Sequence, residues 1–580
     1  MSAGGFAPLW GLIVTSLLPW LRGLSMAVIA EIVVSLLVLN FLWDFIPYHY
    51  IHWRRDNVKG QVPPRYPSLI PYLGSVLELA LDHRNFGRRI SFYRGKLTAN
   101  RVRLMGRDYY YLQDREALEK MFRDESMSSA IEIYAYSQYN VFGISRKAAN
   151  ITRTDNSGPF PQPHPLSNVF PHNRVEALTH GVSFRGLTGP GLRPLTQRYT
   201  KRVPMNFKDF ATEWSEFGDL ARFFRERVGE PILRAILGPT MFRLNPTFLE
   251  DLFEYDKALP YYAYCMPRFL MPKAYRVRER LADQFKLWYQ YAREHADPSL
   301  IDADGDGDPI WGSEMMRNRQ QLLHADEHDD DTLAHLDTGL AWASVGNLVP
   351  TTMLSVYHIF RDRGLLRRVR HDLQEYLSTQ TQTIHELDPQ QLAKDVPLLS
   401  SIYAETMRLY IRIYSMYSSP HEEVHVGKWK LPKGALALVT SHPNHMDASF
   451  WNTRDGKHPV ETFWADRFMV DPFDPSSGPI NPKCNDTLPR PKEASSDQKP
   501  YFSMEGCQGA WLPYGGGHAM CPGRFFAKAI IVFTTALLVH EYDFEYLATA
   551  ELTNTRYGFG IADLKKPVPF RIRKRRDLHL

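Results

Sequence analysis

The sequence predicts a mainly α fold with minor β, preceded by an N-terminal membrane anchor, and three observations carry that prediction. From about residue 205 to 410, apolar side chains recur at spacings of three and four, the period of an amphipathic helix. Alternation with period two is confined to short stretches, of which residues 424–441 are the clearest. At the N-terminus, residues 6–21 carry no charge, and residues 24–46 are broken only by Glu31 and Asp44.

Composition closes off several other classes. The 580 residues are 44% hydrophobic and 23% charged, the balance of an ordinary globular protein and not of a disordered chain. A mean hydropathy of −0.35 excludes a polytopic membrane protein. Lys and Arg number 69 against 64 Asp and Glu, a net charge of +5, which is too small an excess to predict nucleic-acid binding. Four cysteines (Cys265, Cys484, Cys507, Cys521), none in a CxxC pair, rule out a disulfide scaffold and a zinc ribbon.

Taken in order, residues 1–50 read as the anchor, since an apolar run of this length spans a hydrocarbon core about 30 Å thick. Pro8 and Pro19 interrupt the first run, so one span or two is left open. A cleaved signal peptide is the competing reading, disfavoured by the missing basic leader and cleavage site. Trp43, Tyr48, Tyr50 and Trp53 form an interfacial aromatic belt, and Arg54, Arg55, Lys59 and Arg65 a basic flank that the positive-inside rule places in the cytosol. The sequons at Asn150 and Asn485 are then out of reach of glycosylation. Residues 51–75 form a basic, proline-rich hinge, stiffened at 62–71 because each proline fixes φ. The main domain runs from 76 to 580. Within it, residues 332–361 predict one long helix kinked by Pro350, residues 424–441 a hairpin turning at Lys433-Gly434, residues 472–510 an exposed loop, and residues 525–542 an apolar helix.

Some motifs mislead. Residues 302–308 open like a calcium-binding loop, but Pro309 and Ser313 stand where an apolar residue and a bidentate acid belong, so a solvated acidic turn is the better reading. His442 and His445 lack a third ligand at metal spacing. The basic run at 571–576 reads as a solvated strand end.

The informative stretch is Tyr514-Gly515-Gly516-Gly517-His518-Ala519-Met520-Cys521-Pro522-Gly523-Arg524. Three glycines let the backbone turn tightly and approach something flat and large. Pro522 suits the first turn of a helix, which puts Cys521 at a helix N-terminus where a thiolate is favoured. A buried structural cysteine is the bland alternative.

This stretch strongly resembles the haem-binding loop of the cytochrome P450 family: an aromatic residue, two residues, Gly, three residues, Cys, one residue, Gly. Tyr514, Gly517, Cys521 and Gly523 fill that pattern, with His518 inside it. The family's Glu-x-x-Arg signature stands upstream as Glu405-Thr406-Met407-Arg408, residues spaced to share a helix face. A third motif, aromatic-x-x-Asp/Glu-Arg-Phe, is matched by Phe463-Trp464-Ala465-Asp466-Arg467-Phe468. The resemblance, over residues 24–575, implies a P450 fold holding haem b, its iron ligated by Cys521. It also implies a buried network of Glu405, Arg408 and Arg467 behind the haem.

Two departures bear on function. Most members place Arg or His two residues before the cysteine to hold a haem propionate; here that residue is Ala519, and the region after the Glu-x-x-Arg helix reads Met416-Tyr417-Ser418-Ser419. On the distal helix, Gly346-Asn347 replaces the usual acid–alcohol pair. The run Trp342-Ala343-Ser344-Val345-Gly346-Asn347-Leu348-Val349-Pro350 resembles the subgroup of bile-acid sterol hydroxylases and prostacyclin synthase. An amide holds water but is no acid, so Asn347 is read as the catalytic residue that orients a proton-carrying water, or else as a helix-kink residue beside Pro350.

The expectation is a membrane-bound haem-thiolate monooxygenase at the endoplasmic reticulum, its catalytic domain facing the cytosol. By resemblance it draws electrons from an NADPH–cytochrome P450 reductase and oxidises a small lipophilic substrate, terpenoid or sterol-like, in a fungal natural-product pathway. An NADPH-independent haem-thiolate isomerase or dehydratase, and a catalytically idle haem-binding protein, are the rivals.

Overall fold

The computed structural model describes residues 25–54, 60–484 and 499–576. The run at 6–21, Arg55, Lys59 and the Asn485 sequon lie outside the described residues. Helix α1 (Met26–Trp53) starts at Ser25, whose hydroxyl accepts from the Val28 N–H at 3.3 Å. It is long and apolar enough to cross a membrane, and its apolar window is not covered by protein. Its last turns dock instead: Asp44 pairs with Arg65 at 3.3 Å, and His52 bonds Asn100 at 2.7 Å. Of the expected aromatic belt, Trp43, Tyr50 and Trp53 are exposed, but Tyr48 is buried among Tyr66, Tyr93 and His52. The docking turns give Tyr48 a protein face that Trp43 lacks.

The proline-rich segment is stiff, yet it is laid against the domain. Gln61 bonds Lys428 and Lys430, and residues 64–66 bond Arg101 on strand β1 (Ala99–Leu104) in both directions. β1 pairs antiparallel with β2 (Arg107–Leu112), which leads to helix α2 (Arg115–Arg123). The helical body then contributes α3 (Val175–Leu187), α4 (Phe248–Ala263) and α5 (Glu314–Arg319).

The predicted long distal helix is two, α6 (Asp330–Gly346) and α7 (Leu348–Arg361), broken at Asn347. Asp329 caps α6 by accepting from Thr332 N at 2.8 Å, and Asp330 and Asp331 favour its positive end. The break falls three residues before Pro350, not at it, because proline withholds the N–H that would bond the carbonyl four residues earlier, at Gly346.

Helix α8 (Pro397–Tyr410) runs into β3 (Ile411–Ser418). The expected hairpin forms only between Val424–Val426 and Trp429–Leu431, turning at Gly427 rather than at Lys433-Gly434. The following strand, β4 (Leu436–Thr440), is buried on both faces and leaves the hairpin to insert between β3 and β2, antiparallel to the first and parallel to the second. Five consecutive buried residues need cover on both sides, which an exposed hairpin cannot give. Helix α9 (Arg524–Glu541) is buried over most of its circumference and packs on both α7 and α8, which makes it the central core helix. Strand β5 (Phe559–Ile561) closes the sheet against β3.

The acidic turn spends its carboxylates on protein: Asp306 pairs with Arg198, and Asp308 accepts from the Ile310 N–H at 2.7 Å.

Candidate functional site

The cysteine loop is closed by its own backbone. Cys521 N–H donates to Tyr514 O at 3.0 Å, and Met520 N–H to Gly517 O at 3.2 Å. Gly517 holds φ +62°, a left-handed conformation that glycine adopts without strain. The flat surface that the glycines approach is the Phe122 ring of α2, which a Cβ on Gly516 would overlap. The helix after the loop begins at Arg524, two residues later than Pro522 suggested. The Gly523 N–H is directed at the thiol, and Arg524 donates to Cys521 O at 3.1 Å. Cys521 keeps an exposed surface, yet protein crowds its thiol: burial pushes the thiol up, while the Gly523 N–H and Arg524 pull it down. The expected preference for thiolate is therefore not supplied by the protein alone. A metal cation bound at Cys521 would supply it, since a coordinating thiol is deprotonated outright.

Helix α8 grips this loop. Tyr403 and Tyr514 share a hydroxyl–hydroxyl bond of 2.9 Å, and Trp511 Nε1 donates to Ala404 O at 3.1 Å. One turn on, Glu405, Arg408 and Arg467 come together, all fully buried. Arg408 meets the carboxylate through Nε and Nη2 at 2.7 and 2.8 Å, and Arg467 Nε at 3.0 and 3.1 Å. The remaining guanidinium nitrogens go to carbonyls, among them Arg408 Nη1 to His445 O at 2.7 Å, and Arg408 Nη2 also donates to Val460 O at 2.8 Å. Burial raises the Glu405 carboxyl, but Arg408 and Arg467 outweigh it and hold the group below its ordinary value. His445 carries the network to the loop, its Nε2 accepting from Leu512 N at 2.9 Å. His445, Tyr403 and Tyr417, whose hydroxyl accepts from Gly516 N at 2.9 Å, were not legible as site residues. Each is an ordinary polar residue in sequence, and only the fold turns it toward the loop.

At the distal break, the Asn347 side chain does not fill the helix's own vacancy. Its Oδ1 accepts from the Ile561 N–H of β5 at 2.9 Å, while Thr351 donates through both N and Oγ1 to the Asn347 carbonyl at 3.1 and 2.7 Å. The amide NH₂ points away from that strut. Beside it, Gly346 is closely packed: a Cβ would stand 3.0 Å from Trp342 Nε1 and 3.6 Å from Arg556 Nη2. Trp342 Nε1 donates to Asp256 Oδ1 at 2.6 Å, and Arg556 Nη1 donates to Asp256 Oδ2 at 3.1 Å. Arg556 Nη2 lies 2.8 Å from Oδ1 but off the hydrogen-bond line, and its Nε also lacks a partner. An indole and a buried ion pair thus crowd the position an acid at 346 would take. Asp256 and Arg556, 300 residues apart in sequence, carried no signal of this.

A cavity of about 310 Å³ separates the cysteine loop from α6. Leu336, Leu340 and Ala343 line one wall, Ala519, Met520 and Pro522 the other, and polar groups from α3 and α5 close one end. An apolar slot beside a thiol, with the buried and partnerless His518 Nε2 at its rim, fits a flat macrocycle bearing carboxylates.

The Cytochrome P450 family model matches residues 247–570. The chain is 30% identical over 576 residues to cytochrome P450 monooxygenase fsoE of Humicola fuscoatra, covering 93% of this chain and 94% of that one. Cytochrome P450 monooxygenase efuG of Hormonema carpetanum is 29% identical over 563 residues, covering 93% and 95%. Cholesterol 7-alpha-monooxygenase of Cricetulus griseus is 22% identical over 539 residues, covering 90% and 95%. A retinoic-acid-bound cyanobacterial P450 structure superposes with a TM-score of 0.56 at 16% identity, covering 89% of this chain and 99% of that one.

Proposed function

From the premise that the chain belongs to the cytochrome P450 family, whose members bind haem through a cysteine-ligated iron, we propose that Cys521 is that ligand and that the protein oxidises a lipophilic, terpenoid or sterol-like substrate in secondary metabolism. The observation that carries the reading is the loop itself: a thiol set between Met520 and Pro522, which line an apolar slot, and braced by the loop backbone and by the Gly523 N–H. Haem in that slot supplies dioxygen activation, with the thiolate pushing electron density toward the iron. The protein's part is orientation and proton handling. Tyr514, Gly517 and Gly523 shape the loop, and the Glu405, Arg408 and Arg467 network fixes α8 behind it. Asn347, anchored by Ile561, keeps its NH₂ free to orient a water that brings protons in.

Electrons come from an NADPH–cytochrome P450 reductase on the cytosolic face of the endoplasmic reticulum, with α1 holding the enzyme to the membrane. The match to monooxygenases along the whole chain favours this over an NADPH-independent isomerase or dehydratase, which Gly346-Asn347 keeps as the second reading. The test is a reduced carbon-monoxide spectrum together with metabolite profiles from a strain lacking the gene, followed by turnover of the accumulated compound with and without NADPH and reductase. Turnover that ignores both overturns the monooxygenase reading.

A further inference from the structure

Ala519 leaves the loop without the Arg or His that most members aim at a haem carboxylate, so the donors have to come from elsewhere in the slot. We propose that the two carboxylates of haem are held by a histidine pair, His180 of α3 and His518 of the cysteine loop. The proposal rests on Cys521 as the haem ligand.

His518 lies three residues from Cys521, at most about 10 Å of extended chain, which keeps its ring at the rim of a macrocycle centred on the thiolate. Its Nε2 is buried without a partner. His180 approaches from the other side. It shares the cavity-lining face of α3 with Glu176, Thr179 and Ser183, and its ring reaches the backbone of His518. Two imidazoles thus converge at the polar end of the slot. The His180 ring N–H is turned to the His518 backbone carbonyl, and an anionic carboxylate arriving there favours the imidazolium form, in which both ring nitrogens donate.

Among the other charged groups at that end, Arg319 is the rival donor. It lines the cavity with its Nε committed to the fully buried Asp337, while Nη1 and Nη2 have no hydrogen-bond partner among the described residues. A double variant that releases haem at the wild-type rate would assign the carboxylates to Arg319. Asp155 is occupied by the N–H groups of Ser157 and Glu176 and by the Ser157 hydroxyl. Glu176 faces the cavity; burial, with Asp155 adding, pushes its carboxyl up to about 8, so at neutral pH it does not repel an anionic cofactor edge.

The experiment compares the full-length protein with His180→Phe, His518→Phe, the double variant and His518→Arg, each loaded with haem or with haem dimethyl ester. The readout is the rate of cofactor transfer to excess apomyoglobin, with thermal unfolding as the control on folding. For haem, the double variant should release about 10- to 100-fold faster than wild type, two charge-assisted hydrogen bonds being lost, and His518→Arg should stay near wild type. For the dimethyl ester, which offers no carboxylate, wild type and double variant should release at the same rate. Equal wild-type-to-variant ratios for the two cofactors would overturn the proposal and leave the histidines as packing residues. Should the double variant not fold, the two single variants and His518→Arg carry the same comparison. Failure of the Cys521 reading shows separately, as a wild-type protein whose reduced carbon-monoxide band lacks the thiolate signature.

Discussion

Around Glu405 every guanidinium nitrogen makes a hydrogen bond to a carboxylate or carbonyl, whereas around Gly346 only Nη1 of Arg556 does. Nη2 of Arg556 touches Asp256 at 2.8 Å, off the hydrogen-bond line. Both regions bury an Arg–carboxylate pair, and Arg556 is only 5% exposed. The proximal network is saturated and joined to the cysteine loop through His445, so it has one arrangement and no spare donor. The distal break holds its helix ends through Asn347, Ile561 and Thr351, and beside it Arg556 Nε and Nη2 are buried without a hydrogen bond. Desolvating charge is costly in both places. Around Glu405 the result is rigidity; beside Gly346 the buried pair is less fully satisfied.

The sharpest break in this comparison is at the loop that the proximal network supports. Cys521→Ser should abolish activity and the thiolate spectral signature, because a neutral hydroxyl cannot match thiolate donation; reduced carbon-monoxide spectra check it, and an unchanged band removes Cys521 as ligand. Next, Arg408→Ala should destabilise the fold by about 3–5 kcal/mol by stranding a buried carboxylate, seen as lost haem occupancy and a lowered denaturation midpoint. A normal yield of haem-loaded Arg408→Ala protein would mean that the saturated network is not what holds the loop.

The same network predicts a pH response. Glu405 sits below its ordinary value, so its pairing stabilises the fold above the unfolded carboxyl's value of about 4.3 and loses that contribution as the pH falls toward the folded value. Arg467→Gln should shrink this acid-sensitive part of the stability, measured by denaturant unfolding across pH 3–7; an acid limb identical to wild type would assign acid lability elsewhere. On the distal side, Asn347→Ala should spare the haem spectrum but lower product formed per NADPH by about 10²-fold, as loss of one positioned proton-transfer group does. Tightly coupled turnover by that variant would reduce Asn347 to the strut that Ile561 makes of it. Deleting residues 1–47 should have the smallest effect on the haem domain, releasing the protein from membranes with its spectrum intact. Persistent membrane binding would mean that the domain carries its own insertion surface.

Three short motifs made the cysteine loop and the proximal network legible before any coordinates, because each packs most of its meaning into a few neighbouring residues. Glu405 and Arg408 share a helix face by spacing alone, and Arg467 follows from its own motif. Helix 524–541 was likewise readable from its apolar run. Local pattern was a weaker guide where partners come from afar. Residues 424–441 alternate like one hairpin, yet burial on both faces sent β4 into the main sheet. Pro350 announced a kink, but the missing N–H acts four residues back, so the break stands at Asn347. The sequence by itself determined the family, the motif of the cysteine loop and the mainly helical architecture, since these rest on spacing within single segments. Only the tertiary structure decided that Tyr48 is buried, that Asp256 and Arg556 crowd the place of the absent acid, that Asn347 is tied to β5, and that His180 meets His518. Those contacts join segments far apart in the chain, and they are set by which buried polar groups find partners once the helices and strands have packed.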